Sequence, residues 1–385
     1  MLEEIFEIIF WISLFLIFYH YIFYFLILKI WASLFSKKHK INENIFPTVS
    51  VIVSAYNEEK VLEKKIKNLL TYDYPQDKIE FLFGSDGSND KTNEILKNVS
   101  LSNFYFYELE KRRGKSSVIN DLVRNANGEI LIFSDANTIF QSDAIKKIVR
   151  HFNDNSIGGV CGKLVLKYKK NNIGGSSEST YWNYENKIKE LESKIYTTFG
   201  ANGAIYAIRK NFFLQVPTNI FIVDDFVIPL SIVSRDIRVI FDKEVFAFEE
   251  TTESTQKEFQ RKVRIASRNF SSIFYLSHLL NPKYGFISFG LISHKIIRWI
   301  IPFFLIVIFV SNIFLLAIKS DIYLLFFLMQ IGFYFFALIG LFLDKINFQI
   351  KIFTLPYYFI IVNFGLFLGF IKYVSSKSSP MWEKT

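Results

Sequence analysis

Four stretches of the sequence contain no Asp, Glu, Lys or Arg and are each long enough to cross a lipid bilayer. A helix needs roughly 20 predominantly apolar residues to span the hydrocarbon core. The four runs are Ile8–Leu28, Trp299–Ile318, Ile322–Leu343 and Ile352–Ile371. One such run could be a buried helix of a soluble protein, but four of them near the two ends of one chain favour a membrane protein.

The charges beside the first run predict its orientation. Three glutamates precede it, whereas lysines follow it, at positions 29, 37, 38 and 40. The positive-inside rule therefore predicts that Met1 lies outside and that the middle of the chain lies in the cytoplasm. A signal peptide is not favoured, because the run is too long and no Lys or Arg precedes it. The side of the C-terminal tail stays open. Three later runs place the tail outside, but Lys372, Lys377 and Lys384 favour the cytoplasm.

Composition divides the chain between lipid and water. Apolar residues make up 51% of the 385 residues, which excludes a disordered protein. The single cysteine, Cys161, excludes an intramolecular disulfide framework and a Cys-rich zinc module. The segments expected are a membrane helix with a basic flank (1–40), a cytoplasmic domain (41–270), interfacial helices (271–298), three membrane helices (299–374) and a tail (375–385).

Short apolar runs alternate with helical patterns inside the cytoplasmic segment. Buried strands are predicted at Val49–Ser54, Phe81–Phe83, Phe104–Tyr107 and Ile130–Phe133. Helices are predicted between them, at Val61–Leu70, Asn93–Lys97 and Ser116–Arg124. This alternation predicts a parallel α/β sheet, and such sheets bind ligands at the carboxyl ends of their strands.

Polar loops follow each of the four predicted strands, at residues 54–59, 85–90, 111–116 and 134–137. Each loop alone could be a turn or a helix cap. Gly114-Lys115-Ser116 is not a P-loop, because Leu109 occupies the position that needs glycine. Four polar loops after four successive strands favour a binding site.

Seven short motifs then occur in an order that resembles the membrane-embedded family 2 glycosyltransferases. They are VIVSAYNEE (51–59), GSDGSND (84–90), RRGKSSVIN (112–120), FSDAN (133–137), FGANGAIYAIR (199–209), VDDF (223–226) and RKVRI (261–265). That family includes synthases of cellulose, hyaluronan and poly-N-acetylglucosamine, and ceramide glucosyltransferase. The resemblance implies an α/β GT-A domain, Rossmann-like with a mostly parallel sheet, joined to α-helical transmembrane segments.

The resemblance also implies how a nucleotide-sugar donor is held, with a UDP-sugar as the expected donor. Residues of the first two loops would line the base slot, namely Ala55, Tyr56, Glu58 and Asp86. Gly114 and Lys115 would meet the diphosphate, beside the start of a helix. A solvated basic turn is the alternative for Lys115, and the roles of Arg112 and Arg113 stay open.

Asp135 would hold a divalent metal, Mg²⁺ or Mn²⁺, because these ions prefer hard oxygen ligands. The family often has a second Asp two residues later, where this chain has Asn137. An amide oxygen carries no charge, so Asn137 would be a weaker metal ligand or would contact the sugar. A turn closed by Asp135 is the alternative without a ligand.

Asp224 and Asp225 form a second acidic site, and the resemblance makes Asp225 the catalytic base in an inverting transfer. Capping of the following helix is the alternative. Gly200, Asn202 and Gly203 would shape the pocket for donor sugar and acceptor, and Arg264 would bind the diphosphate. Ile265 stands where processive synthases carry Trp, which weakens the prediction of a processive enzyme.

The sequence therefore predicts transfer of a sugar to a polysaccharide or lipid acceptor at the cytoplasmic face of the cell membrane. Membrane lipid is an expected partner and nucleic acid is not. Three alternatives remain: a processive polysaccharide synthase with coupled translocation, a transporter with a nucleotide-binding regulatory domain, and an inactive binder of sugar nucleotides.

Overall fold

The computed structural model describes residues 1–167, 174–250, 255–318, 321–346, 348 and 350–375. Within these ranges, eight strands form one sheet in the order β3-β2-β1-β4-β7-β6-β8-β5. The strands are β1 (Val49–Ala55), β2 (Ile79–Asp86), β3 (Phe104–Leu109), β4 (Ile130–Asp135), β5 (Thr138–Phe140), β6 (Ile157–Lys167), β7 (Tyr206–Arg209) and β8 (Arg238–Glu250).

The α-helices form two groups: those that pack with the sheet in the α/β domain, and the long apolar helices. Seven belong to the α/β domain: α2 (Glu59–Leu69), α3 (Thr92–Lys97), α4 (Lys115–Asn125), α5 (Ala144–Val149), α6 (Gly174–Ile195), α7 (Asp224–Val233) and α8 (Thr255–Tyr275). Short 3₁₀ turns lie at Gln76–Lys78, Arg150–Asn153, Lys210–Phe212, Ser277–Leu280 and Pro282–Tyr284.

The first half of the sheet is parallel, as the sequence predicts. Strand β1 lies between β2 and β4 and is parallel to both. All four predicted strands are present, each extending by one or more residues beyond the predicted range. The second half adds antiparallel pairs, β4 with β7, β7 with β6 and β8 with β5. The carboxyl ends of β1, β2 and β4 meet at one edge, which is where the polar loops lie.

Alternation along the strands creates an apolar layer on each face of the sheet. Val51 and Val53 belong to one buried cluster, whereas Ile52 between them belongs to the other. Successive side chains of a strand point to opposite faces, so a strand covered on both faces reads as a continuous apolar run. The sheet is therefore buried on both sides, and only its edge of polar loops is left for chemistry.

In the described part of the chain, four helices are long and apolar enough to cross a membrane: α1 (Leu2–Leu34), α9 (Phe286–Leu316), α10 (Ile322–Lys345) and α11 (Lys351–Val374). They contain the four runs found in the sequence, except that α9 ends at Leu316, two residues before the end of its run. Helix α9 begins at Phe286. It therefore already includes residues 286–298, which were expected to lie at the membrane surface. Both α1 and α9 contain one π-helical segment, at Tyr19–Phe23 and Leu291–Ile296.

A buried ionic cluster joins α6 to the apolar helices. His294 of α9 lies between Glu185 at 3.0 Å and Glu192 at 2.7 Å, and Lys295 contacts Glu185 at 2.8 Å. The hydroxyl of Tyr24 in α1 donates to Glu192 at 2.8 Å. Buried charges persist only when they are paired, so this cluster fixes where α6 meets α1 and α9.

Helices α8 and α11 pack closely at a glycine. A Cβ at Gly369 would lie 2.4 Å from the Ala266 Cβ and 3.0 Å from the backbone nitrogen of Ser267. We expect Gly369→Leu to force the two helices apart and to lower the free energy of unfolding by about 1–3 kcal/mol, as overpacking does. The change is measured by thermal unfolding in detergent.

Gly332 of α10 provides the matched control, because a Cβ there meets nothing within 4 Å. Gly332→Leu should leave the unfolding temperature within a degree or so of the parent protein. Equal effects of the two substitutions would show that α8 and α11 do not pack at Gly369.

Candidate active site

One lysine and three carboxylates form the centre of the polar edge. The ammonium of Lys115, at the start of α4, lies 2.9 Å from Asp135 Oδ1 and 3.2 Å from Asp224 Oδ2. Asp135 is the last residue of β4, and Asp224 and Asp225 are the first two of α7. The structure thus brings together both predicted acidic sites and the predicted diphosphate-binding lysine.

Gly203 separates Asp135 from the acidic pair. Its backbone N–H donates to Asp225 Oδ2 at 2.6 Å. A Cβ at Gly203 would lie 3.0 Å from Asp135 Oδ2 and 3.2 Å from Asp225 Oδ2. A larger residue at this position would crowd both carboxylates, so glycine suits this close approach of the backbone. Gly200, three residues earlier, has a φ of +96°, which also favours glycine.

Asn202 links the same turn to α6. Its side chain accepts from Lys189 Nζ at 2.7 Å and donates to the carbonyl of Gly162 at 3.1 Å. Lys189 also donates to the carbonyl of Ala201 at 3.3 Å. Asn202 and Lys189 are both buried. The predicted pocket residues Gly200, Asn202 and Gly203 therefore form a rigid turn that presents its backbone to Asp225.

The carboxyl groups of Asp135 and Asp225 differ in their pKa values. Burial would raise the pKa of Asp135, but the cations around it, Lys115 first, hold that pKa below its usual value. Burial and the neighbouring Asp224 raise the pKa of Asp225 to about 7, against the opposing charge of Lys115. Asp135 thus stays ionised, whereas Asp225 exchanges a proton near neutral pH, which is the behaviour of a general base.

Asp86 holds the loop that precedes α4. Its Oδ1 accepts from the N–H of Arg113 at 2.7 Å, and its Oδ2 accepts from the N–H of Gly114 at 2.9 Å. Gly114 has a φ of +88° and is the N-cap of α4. Asp86 is fully buried, so it shapes the start of the helix that carries Lys115.

The predicted base slot contains a stacked pair. The guanidinium of Arg112 lies 3.8 Å from the centre of the Tyr56 ring. Among the described residues, Arg112 Nε and Nη2 are buried with no hydrogen-bond partner. Ala55 is buried at the end of β1, and the backbone N–H of Glu58 donates to Thr92 Oγ1 at 2.8 Å. Buried donors without partners are costly, so this slot favours an incoming acceptor atom.

Asn137 is held by a residue from another strand. Its Nδ2 donates to Glu249 Oε1 at 3.1 Å, and Arg261 of α8 lies 3.6 Å from the same oxygen. Because the nitrogen of the amide is taken by Glu249, the amide presents its oxygen elsewhere. Arg264 lies on α8 one turn after Arg261, and Ile265 beside it is exposed.

These residues fit a divalent metal as an open site. Over the described ranges, no three His, Cys, Asp or Glu side chains form a preformed metal cage. Asp135 and Asn137 supply two hard oxygen donors, and Mg²⁺ typically takes its remaining ligands from water and substrate phosphates.

A buried lysine supports the loop after β4. Lys65 Nζ donates to Ser134 Oγ and to the carbonyl of Thr138, each at 2.7 Å. Burial lowers the pKa of Lys65 to about 7, although Asp135 opposes the shift. These two bonds fix the residues on either side of Asp135 and Asn137.

Tyr206 is buried beside the site with an unpaired hydroxyl, as far as the described chain extends. Its ring stacks on Phe133 with centroids 4.7 Å apart. We expect Tyr206→Phe to raise the free energy of unfolding by up to about 1 kcal/mol, because it removes a buried polar group that makes no hydrogen bond. Thermal unfolding measures the change.

Tyr72→Phe is the matched control, because the buried Tyr72 hydroxyl donates to Asn68 Oδ1 at 3.1 Å. That substitution should lower stability by about 1 kcal/mol. If Tyr206→Phe were equally destabilising, the Tyr206 hydroxyl would have a partner, such as a buried water.

Several of these residues could not be chosen from the sequence. The sequence contains a weak indication of the role of Lys65, because this charged residue shares the buried face of α2 with Leu62 and Leu69. Lys189 similarly shares a buried helix face with charged residues. Glu249 had no signal, because its pairing with Asn137 spans more than a hundred residues of sequence.

Comparison with known proteins relates part of the chain to a family. The model of the family described as Glycosyl transferase family 2 matches residues 50–215. Poly-beta-1,6-N-acetyl-D-glucosamine synthase of Staphylococcus aureus (strain COL) is 26% identical over 183 residues, covering 47% of this chain and 44% of the relative. The Staphylococcus epidermidis synthase is 28% identical over 147 residues, covering 38% and 35%. The matched region thus spans less than half the length of these curated relatives.

A solved structure resembles nearly the whole chain. It is a mannosyltransferase from Pyrobaculum calidifontis, described in complex with GDP-Man and Mn²⁺, with a TM-score of 0.73 and 20% identity. The likeness covers 96% of this chain and 100% of that one, and at this identity it concerns the fold. Residues 50–215 therefore match family 2 glycosyltransferases, and the chain has a GT-A fold joined to helices that are long and apolar enough to cross a membrane.

Proposed function

We propose that the protein is an inverting glycosyltransferase that moves a sugar from a nucleotide-sugar donor to a glycan or lipid acceptor at the cytoplasmic face of the membrane. The observation that carries the proposal is the convergence of Lys115, Asp135 and the Asp224–Asp225 pair at the carboxyl edge of the sheet. This edge is where open α/β sheets bind their ligands.

The donor's diphosphate is the partner that fits Lys115 and Arg112. Lys115 supplies a point charge at the start of α4, whose N-terminus also favours an anion. Arg112 carries two buried nitrogens that a phosphate or base oxygen would satisfy. Tyr56 beneath Arg112 provides a flat surface for a base. We assign binding of the base to Tyr56, Ala55 and Glu58. Asp86 holds the neighbouring loop through the backbone N–H groups of Arg113 and Gly114.

Asp135 and Asn137 would hold Mg²⁺ or Mn²⁺ together with phosphate oxygens of the donor. The ion, when bound, neutralises charge that develops on the leaving diphosphate. Glu249 orients Asn137 for this task, because it fixes the amide nitrogen and leaves the oxygen for other contacts. Lys115 forms an ion pair with Asp135 at 2.9 Å in this structure. We expect its ammonium to move toward the diphosphate when donor and metal bind.

Asp225 is assigned as the general base. The acceptor oxygen attacks the anomeric carbon while its proton passes to the Asp225 carboxylate. The bond between the anomeric carbon and the diphosphate oxygen breaks, and the nucleoside diphosphate leaves with inversion at that carbon. The Gly203 N–H holds Asp225 Oδ2, so the second oxygen is the one that takes the proton.

The experiment that tests the proposal uses the full-length protein in lipid nanodiscs with a panel of UDP- and GDP-sugars and Mn²⁺. Mass spectrometry of the lipid and glycan fractions identifies the product, and the anomeric configuration reports inversion. Transfer with inversion from one donor supports the proposal. Saturable binding without any turnover in native membranes would contradict it, as would retention of configuration.

Product length is expected to be short, because Ile265 stands where processive relatives carry Trp. Ile265 is exposed on α8 but has no ring face. Trp299 does not replace it, since it is buried against Phe226 and Phe270. We expect one or a few additions per acceptor, and Ile265→Trp should lengthen the products. Stacking on an aromatic residue contributes about 0.5–1.5 kcal/mol.

Early-time product length with excess acceptor tests this expectation. Ile265→Leu is the control, since it keeps the apolar contact without adding a ring. Long chains formed by the unmodified enzyme while most acceptor is unextended would overturn it and favour a processive synthase.

A further inference from the structure

Aromatic contacts mark two opposite ends of the helix bundle. At one end, Trp299 of α9 packs on Phe226 of α7 and on Phe270 of α8, with centroids 5.7 and 5.9 Å apart. This is the end that carries the GT-A domain. At the other end, Phe6 stacks on Phe314 at 4.1 Å, and the Tyr323 hydroxyl donates to Glu7 at 2.7 Å. We call these the catalytic end and the distal end.

Three helices run between the two ends. Helix α1 starts at the distal end and finishes where Trp31 meets Phe286, 5.2 Å apart. Helix α9 starts there and ends at the distal end. Helix α10 returns, since Phe309 of α9 contacts both Phe327 and Tyr334 along it. At about 1.5 Å per residue, each of these helices is long enough to cross the roughly 30 Å of hydrocarbon.

Helix α11 begins beside the end of α10. The ring of Phe353 lies 5.2 Å from Phe336, and the Tyr357 hydroxyl donates to Asp344 at 3.2 Å. Its middle is also near the catalytic end. Phe359 contacts Tyr21 at 5.7 Å, and the carbonyl of Tyr21 accepts from Tyr184 of α6 at 2.9 Å.

The last turns of α11 return to the same end instead of reaching the distal one. Phe370 contacts Phe303, one turn after Trp299 of α9, at 5.0 Å and Phe270 of α8 at 5.2 Å. Tyr373 stacks on Phe274 at 5.6 Å. In the part of the chain that the structure describes, the distal cluster around Phe10 and Tyr323 includes no residue of α11.

We propose that α11 does not cross the membrane but lies in the lipid surface on the catalytic side. The chain would then cross three times, and its C-terminus would return to the side of the GT-A domain. The partner of α11 is the headgroup region and upper hydrocarbon of that leaflet. Its exposed apolar side chains suit this position, among them Ile352, Leu355 and Phe364.

Charge supports the same arrangement. Lys345 and Lys351 flank the turn before α11, and Lys372 lies in its last turn. Three crossings put all of them beside the catalytic domain, as the positive-inside rule prefers. Four crossings would put Lys372 on the opposite side.

This placement gives α11 a task at the active site. Helix α8 packs along α11 on one side, and on the other its Arg261 contacts Glu249 beside Asn137. Helix α11 therefore supports α8 and fixes the depth of the site's rim relative to the lipid. A membrane-bound acceptor would reach the site over this helix pair.

Cysteine accessibility tests the proposal, because the only native cysteine, Cys161, is buried. Single reporters are placed in the full-length Cys161→Ala protein at three exposed positions: Asn98→Cys on the GT-A domain, Ala317→Cys between α9 and α10, and Ser375→Cys after α11. A membrane-impermeant maleimide is applied to intact cells and then to lysed cells, with denatured protein as the reference for full labelling.

We expect Ser375→Cys to label together with Asn98→Cys, only after lysis, while Ala317→Cys labels in intact cells. Labelling of Ser375→Cys together with Ala317→Cys would overturn the proposal and establish a fourth crossing. An epitope fused after Thr385 and probed with antibody in the same two states gives a second reading. It should become accessible only after lysis, and access in intact cells would equally overturn the proposal.

Discussion

Replacing Asp225 with asparagine is expected to lower kcat by about 10²–10⁴-fold while donor binding survives. The reason is that Asp225 acts on the acceptor proton, whereas Lys115, Asp135 and the base slot hold the donor. Asparagine keeps the size of the side chain and can still accept from the Gly203 N–H, which lies 2.6 Å from Asp225 Oδ2. Only the ability to take a proton is lost.

The measurement pairs steady-state turnover with equilibrium binding of the nucleotide sugar. Asp224→Asn is the matched control, because Asp224 is the neighbouring carboxylate and pairs with Lys115 at 3.2 Å. It should reduce turnover less than Asp225→Asn does. An inactive Asp224→Asn beside an active Asp225→Asn would reverse the assignment of the base.

The assignment of Asp225 as the base also predicts how kcat/KM depends on pH. Burial and Asp224 raise the pKa of Asp225 to about 7, so the carboxylate is protonated below this pH and ionised above it. A base works in its ionised form, so kcat/KM should rise with pH and level off above about 7. Removing the neighbouring charge with Asp224→Asn should move the midpoint to lower pH. A flat profile from pH 5 to 9 would exclude Asp225 as the titrating base.

Asp135→Ala is expected to abolish transfer, with a loss of at least about 10³-fold, since stabilising the leaving diphosphate by a metal is worth several kcal/mol. Removing divalent ions from the unmodified protein should have the same effect. Asp135 is the carboxylate whose pKa is held low by Lys115, despite burial, so it is ionised and ready to bind a cation at neutral pH.

Titration of Mn²⁺ with the protein and a donor analogue, followed by electron paramagnetic resonance, separates metal binding from activity. The unmodified protein should bind one Mn²⁺ and Asp135→Ala should not. Asp73→Ala provides the control, since Asp73 is an exposed acid paired only loosely with Lys146, at 3.5 Å. Full activity in a metal-free preparation would contradict the assignment of Asp135.

The parallel half of the fold could be predicted because each of its elements has a local signal. β1 and β4 are mostly apolar and are covered on both faces, and the helices between the strands have clear apolar faces. The antiparallel half could not be predicted in the same way. β5 has only three residues, and β8 contains Asp242, Lys243 and Glu244 in its middle, so its pattern is broken. Its irregular register with β6 is fixed by long-range packing.

The residues of the site likewise differ in how well they could be predicted from the sequence. Residues that end a strand, such as Asp86 and Asp135, could be found from sequence position. The partners that orient them could not, because Glu249 reaches Asn137 and Lys65 reaches Ser134 only through the folded sheet. The stacking of Arg112 on Tyr56 is similar: the sequence left the role of Arg112 open, and its two unpaired nitrogens become visible only in the structure.

If this site transfers sugar from a nucleotide donor by metal-dependent base catalysis, transfer requires both Asp225 and the metal. The most direct measurement follows a labelled nucleotide sugar in nanodiscs made from native lipid, with the unmodified protein and Asp225→Asn side by side, each with and without Mn²⁺. We predict that the unmodified protein releases nucleoside diphosphate and transfers label only with Mn²⁺, and that Asp225→Asn binds the donor but transfers none. Binding without transfer by the unmodified protein, or undiminished transfer by Asp225→Asn, would contradict the account.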